Sequence, residues 1–159
     1  FSIFPGVDRV LMLLDGNGVE LDLDGEAPVR LDHRFQQHAF SGEAPIFCRL
    51  IDGPTRDFNL MLRRDAIRGE LYARPIVGPM VFFAENHVTW LVHVISGNAV
   101  IKDRAQIPPL EPGDTLVVAS DPADTAPVVL TGAGEVVLAK LHDDELNHLR
   151  ILPRRYRII

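Results

Sequence analysis

The chain has 159 residues, 47% hydrophobic and 24% charged, which is the composition of a globular protein and not of a disordered one. Its formal net charge is −6, and its one basic run is Arg154-Arg155-Tyr156-Arg157. This argues against nucleic-acid binding, which needs a basic face. The single cysteine, Cys48, excludes a disulfide framework, and no apolar stretch approaches the ~20 residues of a membrane-spanning helix.

In chain order, the sequence alternates short β-prone runs with turns. Residues 10–14 are apolar and stop at Asp15-Gly16-Asn17-Gly18, a hairpin signal. Residues 19–24 alternate apolar and polar, as a half-buried strand does. Asp22 and Asp24 fall on the wet face, as expected of an edge. Residues 45–51, 57–63, 81–84, 89–95, 116–119, 128–130 and 136–141 continue the series. In the first of these, Cys48 is expected to be a buried, inert thiol. Spacing of about 8–12 residues between runs is that of a β-sandwich or barrel. Only residues 143–149 could make a helical turn or two.

An internal echo runs through the chain. Residues 13–19 resemble 94–100, residues 39–45 parallel 119–124, and residues 56–62 run against 135–141. Three matches at nearly one spacing predict two copies of one β unit. Pro112-Gly113-Asp114, ahead of an apolar run, resembles the turn that precedes an inward strand in cupin barrels. The expected fold is all-β: a cupin-type double-stranded β-helix, duplicated into a bicupin. Its N-terminal half is placed at residues 1–80 and its C-terminal half at 81–159, and a further segment is expected ahead of Phe1.

The six histidines include no His-x-His pair. His87 and His93 would share a strand face but lie ~20 Å apart at ~3.3 Å per residue, too far to chelate one ion. His33 and His38 differ by an odd number, so a strand would send them to opposite faces. No metal and no other cofactor is expected. Gly16-x-Gly18 lacks the third glycine of a dinucleotide fingerprint and is followed by a strand.

The polar run at residues 52–64 is the unusual feature. Phe58, Leu60 and Leu62 fall on one face, and Asp57, Asn59, Met61 and Arg63 on the other. At the matching repeat positions stand the core-type residues Val136 and Leu138. An acid and an amide where packing is expected must be hydrogen-bonded, or each costs a few kcal/mol. A wet edge strand is the plainer explanation; a pocket for a small polar ligand is the functional one. Arg9 opens an apolar run directly after Asp8. It either pairs with an acid at the strand end or points inward, where its planar fork can grip a carboxylate. Of the 16 cations, 14 are arginine, which a GC-rich genome would also produce.

Three segments resemble the HutD/Ves family: residues 1–9, Phe40-Ser41-Gly42, and residues 53–64, where Asp57-Phe58-Asn59 follows Gly53-Pro54. The resemblance implies a bicupin without the usual metal ligands, in a bacterial protein linked to histidine utilisation. It implies a protein that modulates the pathway by binding an intermediate, urocanate or N-formylglutamate. Both ligands carry carboxylates. The family's Trp/Asn/Gly-rich motif ahead of Phe-Ser-x-Phe-Pro-Gly is not in these 159 residues, which leaves one wall of the pocket unassigned. The ligand set is Arg9 on a carboxylate, Asn59 on a second polar group, Asp57 orienting either, and Phe58 packing beneath, with Arg63 nearby. A cytoplasmic protein is expected, with no membrane or nucleic-acid partner and with homodimerisation through edge strands open. Two alternatives stand beside binding: an enzyme using Asp57 or a histidine as general acid or base, and an interaction module whose pocket is vestigial.

Overall fold

Alternating side chains build the first strand, β1 (Val7–Asp15), which buries Leu11, Met12, Leu13 and Leu14 in succession and so is covered on both faces. The computed structural model describes residues 1–25, 27–121 and 125–143. β1 pairs antiparallel with β4 (Gln37–Ser41) on one side and β6 (Arg56–Arg63) on the other. A second sheet has the order β3 (Val29–Leu31), β2 (Val19–Leu23), β5 (Ile46–Leu50). Leu11 and Leu13 of the first sheet pack with Val19, Leu21, Leu23, Leu31, Phe40 and Ile46. These strands form a compact unit, Phe1–Ala66.

The second unit begins at Ile67. Its sheet has the order β10 (Thr115–Ala119), β9 (Val88–Ile101), β11 (Val128–Asp143), β7 (Ile67–Val77), and β8 (Met80–Phe82) also pairs with β11. Val92, Val94, Ala99, Ile101, Leu130, Val136 and Leu138 lead its core.

The protein is all-β, with eleven strands and no helix among the described residues. The duplication is visible in the strand registers. Arg9, Leu11 and Leu13 stand opposite Met61, Asn59 and Asp57, while Trp90, Val92 and Val94 stand opposite Lys140, Leu138 and Val136. One detail of the echo shifts: Phe40 faces Arg9 and Val118 faces Trp90, so Ala39 is not the counterpart of Ala119.

Three strands went unread in the sequence: β3, β4 and β7. The two runs at 128–130 and 136–141 are one strand, continuous through Gly132 and Gly134. Gly134 faces Gly97 in register, with φ of +134° and +76°, beside a register shift at Glu135/Val136. A Cβ on either would fall 1.9 Å from a carbonyl oxygen across the ladder. The glycines therefore permit a close-approach bulge within the strand, and not a turn out of it. Asp22 is exposed as expected, but β2 is the central strand of its sheet and not an edge. Of residues 143–149, read as a helical turn or two, Asp143 ends β11 and the others lie outside the described residues, as does the basic run at 154–157.

Candidate ligand site

Residues directly opposite in an antiparallel pair share a face. The sheet β4-β1-β6 therefore presents three rows on one face: Phe40–Arg9–Met61, His38–Leu11–Asn59, and Leu13–Asp57. This is the face that carries Leu11, Leu13 and Phe40 into the core of the first unit.

Arg9 is 3% exposed, the one buried charged residue among the described residues. Its Nε donates to Asn59 Oδ1 at 3.4 Å. Its guanidinium carbon lies 4.6 Å from the ring centroid of Phe1, 5.0 Å from that of Phe40 and 5.6 Å from that of Phe4. Among the described residues no carboxylate pairs with it, and its terminal nitrogens are not sealed from solvent. Burial pushes its pKa down, because the cation has lost water. Three aromatic faces return part of that loss through their quadrupoles.

The rings are held by backbone. Phe4 N–H donates to Gly42 C=O at 2.8 Å, and Gly42 N–H donates to Val7 C=O at 2.6 Å. A Cβ on residue 42 would meet the Phe4 and Val7 carbonyl oxygens at 2.6 and 2.7 Å, so only glycine lets the segment lie this close. The Phe1 nitrogen donates to Ile46 C=O at 3.0 Å, and its ring tilts against Phe40 at 6.1 Å. His38 stacks on Phe40 with centroids 6.3 Å apart. Below the segment, Arg64 Nε donates to Asp8 at 2.8 Å and its Nη2 to Glu43 at 2.8 Å, while Glu43 accepts from Gly6 N–H at 2.6 Å and from the Ser41 hydroxyl. The hydrogen bond from Arg64 is the main reason the Glu43 carboxyl lies well below the usual range.

Of the residues expected at the site, Arg9 and Asn59 are in contact, and Asp57 shares their face. Asp57 is accessible at one side, yet its carboxyl is partly enclosed. That desolvation raises its pKa, and a hydrogen bond from Thr55 Oγ1 at 3.1 Å opposes the shift. Cys48 is half-buried, and its thiol is pushed up, first by burial and then by the Asp57 charge. Phe58 is not brought in. It faces Met12 on the opposite side of the sheet, because one step along a strand reverses the side chain. Arg63 stands beyond the Arg9 row, opposite Val7, and pairs with Asp65 at 3.0 Å. Phe1, Phe4, Phe40 and His38 were missed as site residues. The His38-x-Phe40 alternation ahead of Ser41-Gly42 was the available signal. Among the described residues no group of three or more His, Cys, Asp and Glu side chains is placed to hold a metal ion.

The HutD family model matches residues 1–138. The chain belongs to the HutD family. It is 38% identical over 109 residues to the protein Ves of Cronobacter sakazakii, covering 68% of this chain and 58% of Ves. It is 41% identical over 71 residues to an uncharacterised 21.2 kDa protein from the hutC 3′ region of Pseudomonas putida, covering 45% of this chain and 37% of that protein. The chain thus spans 58% of one of these curated relatives and 37% of the other. Among solved structures it resembles HutD of Pseudomonas fluorescens SBW25, determined in a formate condition, with a TM-score of 0.72 and 30% identity over 91% of this chain and 72% of that one. It also resembles a conserved protein of unknown function from Pseudomonas aeruginosa PAO1, with a TM-score of 0.70 and 27% identity over 92% of this chain and 77% of that one. The cupin-like, all-β fold expected of the family is the fold of this chain. Among the described residues no helix is long and apolar enough to cross a membrane.

Proposed function

We propose that this HutD-family chain binds a small carboxylate without a metal, gripping it with Arg9 and reading a second polar group with Asn59. One observation carries the reading: an arginine 3% exposed as a residue, its guanidinium beside three phenylalanine rings, with an amide as its polar partner and no carboxylate beside it among the described residues. An uncompensated buried cation is strongly unfavourable, and an anion from solution is what would compensate it. The two terminal nitrogens form a planar fork that matches a carboxylate bidentately. The buried Phe40 ring beside it lowers the local polarity and strengthens the ion pair. Asp57, its pKa raised, sits two residues from Asn59 and can accept from a polar N–H of the ligand when ionised or donate to an oxygen when protonated.

Urocanate and N-formylglutamate are the ligands that family membership favours, and modulation of histidine breakdown is the role. Both pair a carboxylate with a second planar polar group, an imidazole or a formamide, for Asn59. The relative encoded beside hutC agrees with that setting. Isothermal titration of each compound into the wild type and Arg9→Ala tests the reading. Saturable binding is expected in the wild type, weakened about 10-fold or more in the variant. Equal, non-saturating heats in both would end it.

A further inference from the structure

The second unit differs from the first at the matching positions. By register, Trp90 stands where Arg9 stands and Lys140 where Met61 stands. Lys140 on β11 also lies directly opposite Glu70 on β7, so one row reads Trp90–Lys140–Glu70 across three strands. Opposite charges directly across an antiparallel pair ordinarily meet. Here they do not. Lys140 Nζ turns to Glu85 at 3.5 Å and lies 5.4 Å from the Trp90 ring centroid, while Glu70 accepts from the Tyr72 hydroxyl. No ion pair joins Lys140 to Glu70.

The two charges lie in a recess of about 460 Å³, lined by Glu70, Tyr72, Arg74, Trp90, Lys140 and His142 over Leu138. That volume is in the range of small-molecule sites. The Lys140 side chain is only 23% exposed, and its partner Glu85 is half exposed, so the pair is loosely held. An ammonium and a carboxylate at adjacent strand positions, left apart, match a ligand that carries the opposite charges close together. The indole and Leu138 supply an apolar wall for the rest of it.

We propose that this recess binds a small zwitterion of the α-amino-acid type, its carboxylate on Lys140, its ammonium on Glu70 and its side chain against Trp90 and Leu138. The proposal is independent of the Arg9 site. Trp90 is the only tryptophan in the chain, so its fluorescence reports on the second unit alone.

The test is titration of the whole chain, excited selectively at the indole, with L-phenylalanine and L-leucine. The comparison ligands are 3-phenylpropanoate, which lacks the ammonium, phenethylamine, which lacks the carboxylate, and glucose as a neutral ring. A saturable emission change is expected with the amino acids, about 10-fold weaker or more for each ligand missing one charge. Lys140→Met and Glu70→Gln are each expected to weaken amino-acid binding about 10-fold, with Lys140→Arg restoring part of it. Should Lys140→Met fail to fold, Glu70→Gln and the ligand series on the wild type decide. No saturable change with either amino acid overturns the proposal. So does 3-phenylpropanoate or glucose binding as tightly as phenylalanine, or unchanged binding in Glu70→Gln.

Discussion

Replacing Arg9 by methionine separates stability from binding. Methionine keeps the unbranched stem that packs against Phe1, Phe4 and Phe40 but removes the cation. Taking a guanidinium out of water costs several kcal/mol even after relaxation. Against this stand three ring contacts of about 0.5–1 kcal/mol each and one hydrogen bond of about 1 kcal/mol at most, given its 3.4 Å length. The wild-type site is therefore in deficit, and Arg9→Met is expected to stabilise the free protein by about 1–2 kcal/mol. In a chain of this size that raises Tm by roughly 2–8 °C. Calorimetry with and without ligand completes the assay. A carboxylate at about 100 times its Kd should add about 2.7 kcal/mol to the wild type and nothing to the variant. A variant destabilised by more than about 2 kcal/mol whose Tm still rises with carboxylate would refute the reasoning.

The remaining predictions concern the groups around Arg9. Asn59→Leu removes its polar partner from an exposed position, so carboxylate affinity should fall about 10-fold in titration calorimetry with little change in Tm. Gly42→Ala puts a Cβ 2.6 Å from the Phe4 carbonyl oxygen; the segment must move, costing about 1–3 kcal/mol in denaturant unfolding and loosening the rings on Arg9. Burial raises the Asp57 pKa above its ordinary 3.8, so the folded chain holds that proton more tightly than the unfolded one. The associated stability is then greatest below 3.8 and declines as pH rises through the raised folded value. Asp57→Asn should accordingly melt higher than wild type at neutral pH, with the difference closing below about pH 4 in a Tm–pH series.

Periodicity alone disclosed most strands, because alternating burial leaves a direct trace: β6 reads Phe58, Leu60, Leu62 inward on one face with polar residues between. β7 left no such trace. It is an edge strand that carries Arg68, Glu70 and Arg74, and it tolerates Pro75, which reads as a breaker in a sequence. Gly132 and Gly134 misled for a related reason, since a glycine needed for close backbone approach looks the same in sequence as one needed for a turn. At the site, Asn59 was legible because it stands where the repeat carries Leu138, and Arg9 because it opens an apolar run directly after Asp8. The aromatic ring around Arg9 was not, because Phe1 and Phe4 reach it from a segment without periodicity, held by hydrogen bonds to Gly42. Phe58, read as packing beneath the site, lies on the other face of the sheet. Strand parity already gave that separation in the sequence, and the register opposite Met12 agrees with it.

The Arg9 Nε–H resonance, followed by nitrogen–proton NMR while urocanate or N-formylglutamate is added, tests the carboxylate grip most directly. A protected signal that moves saturably with ligand, and that is missing from Arg9→Met, is the predicted result. A signal that exchanges freely with water and stays fixed while other resonances respond would contradict it.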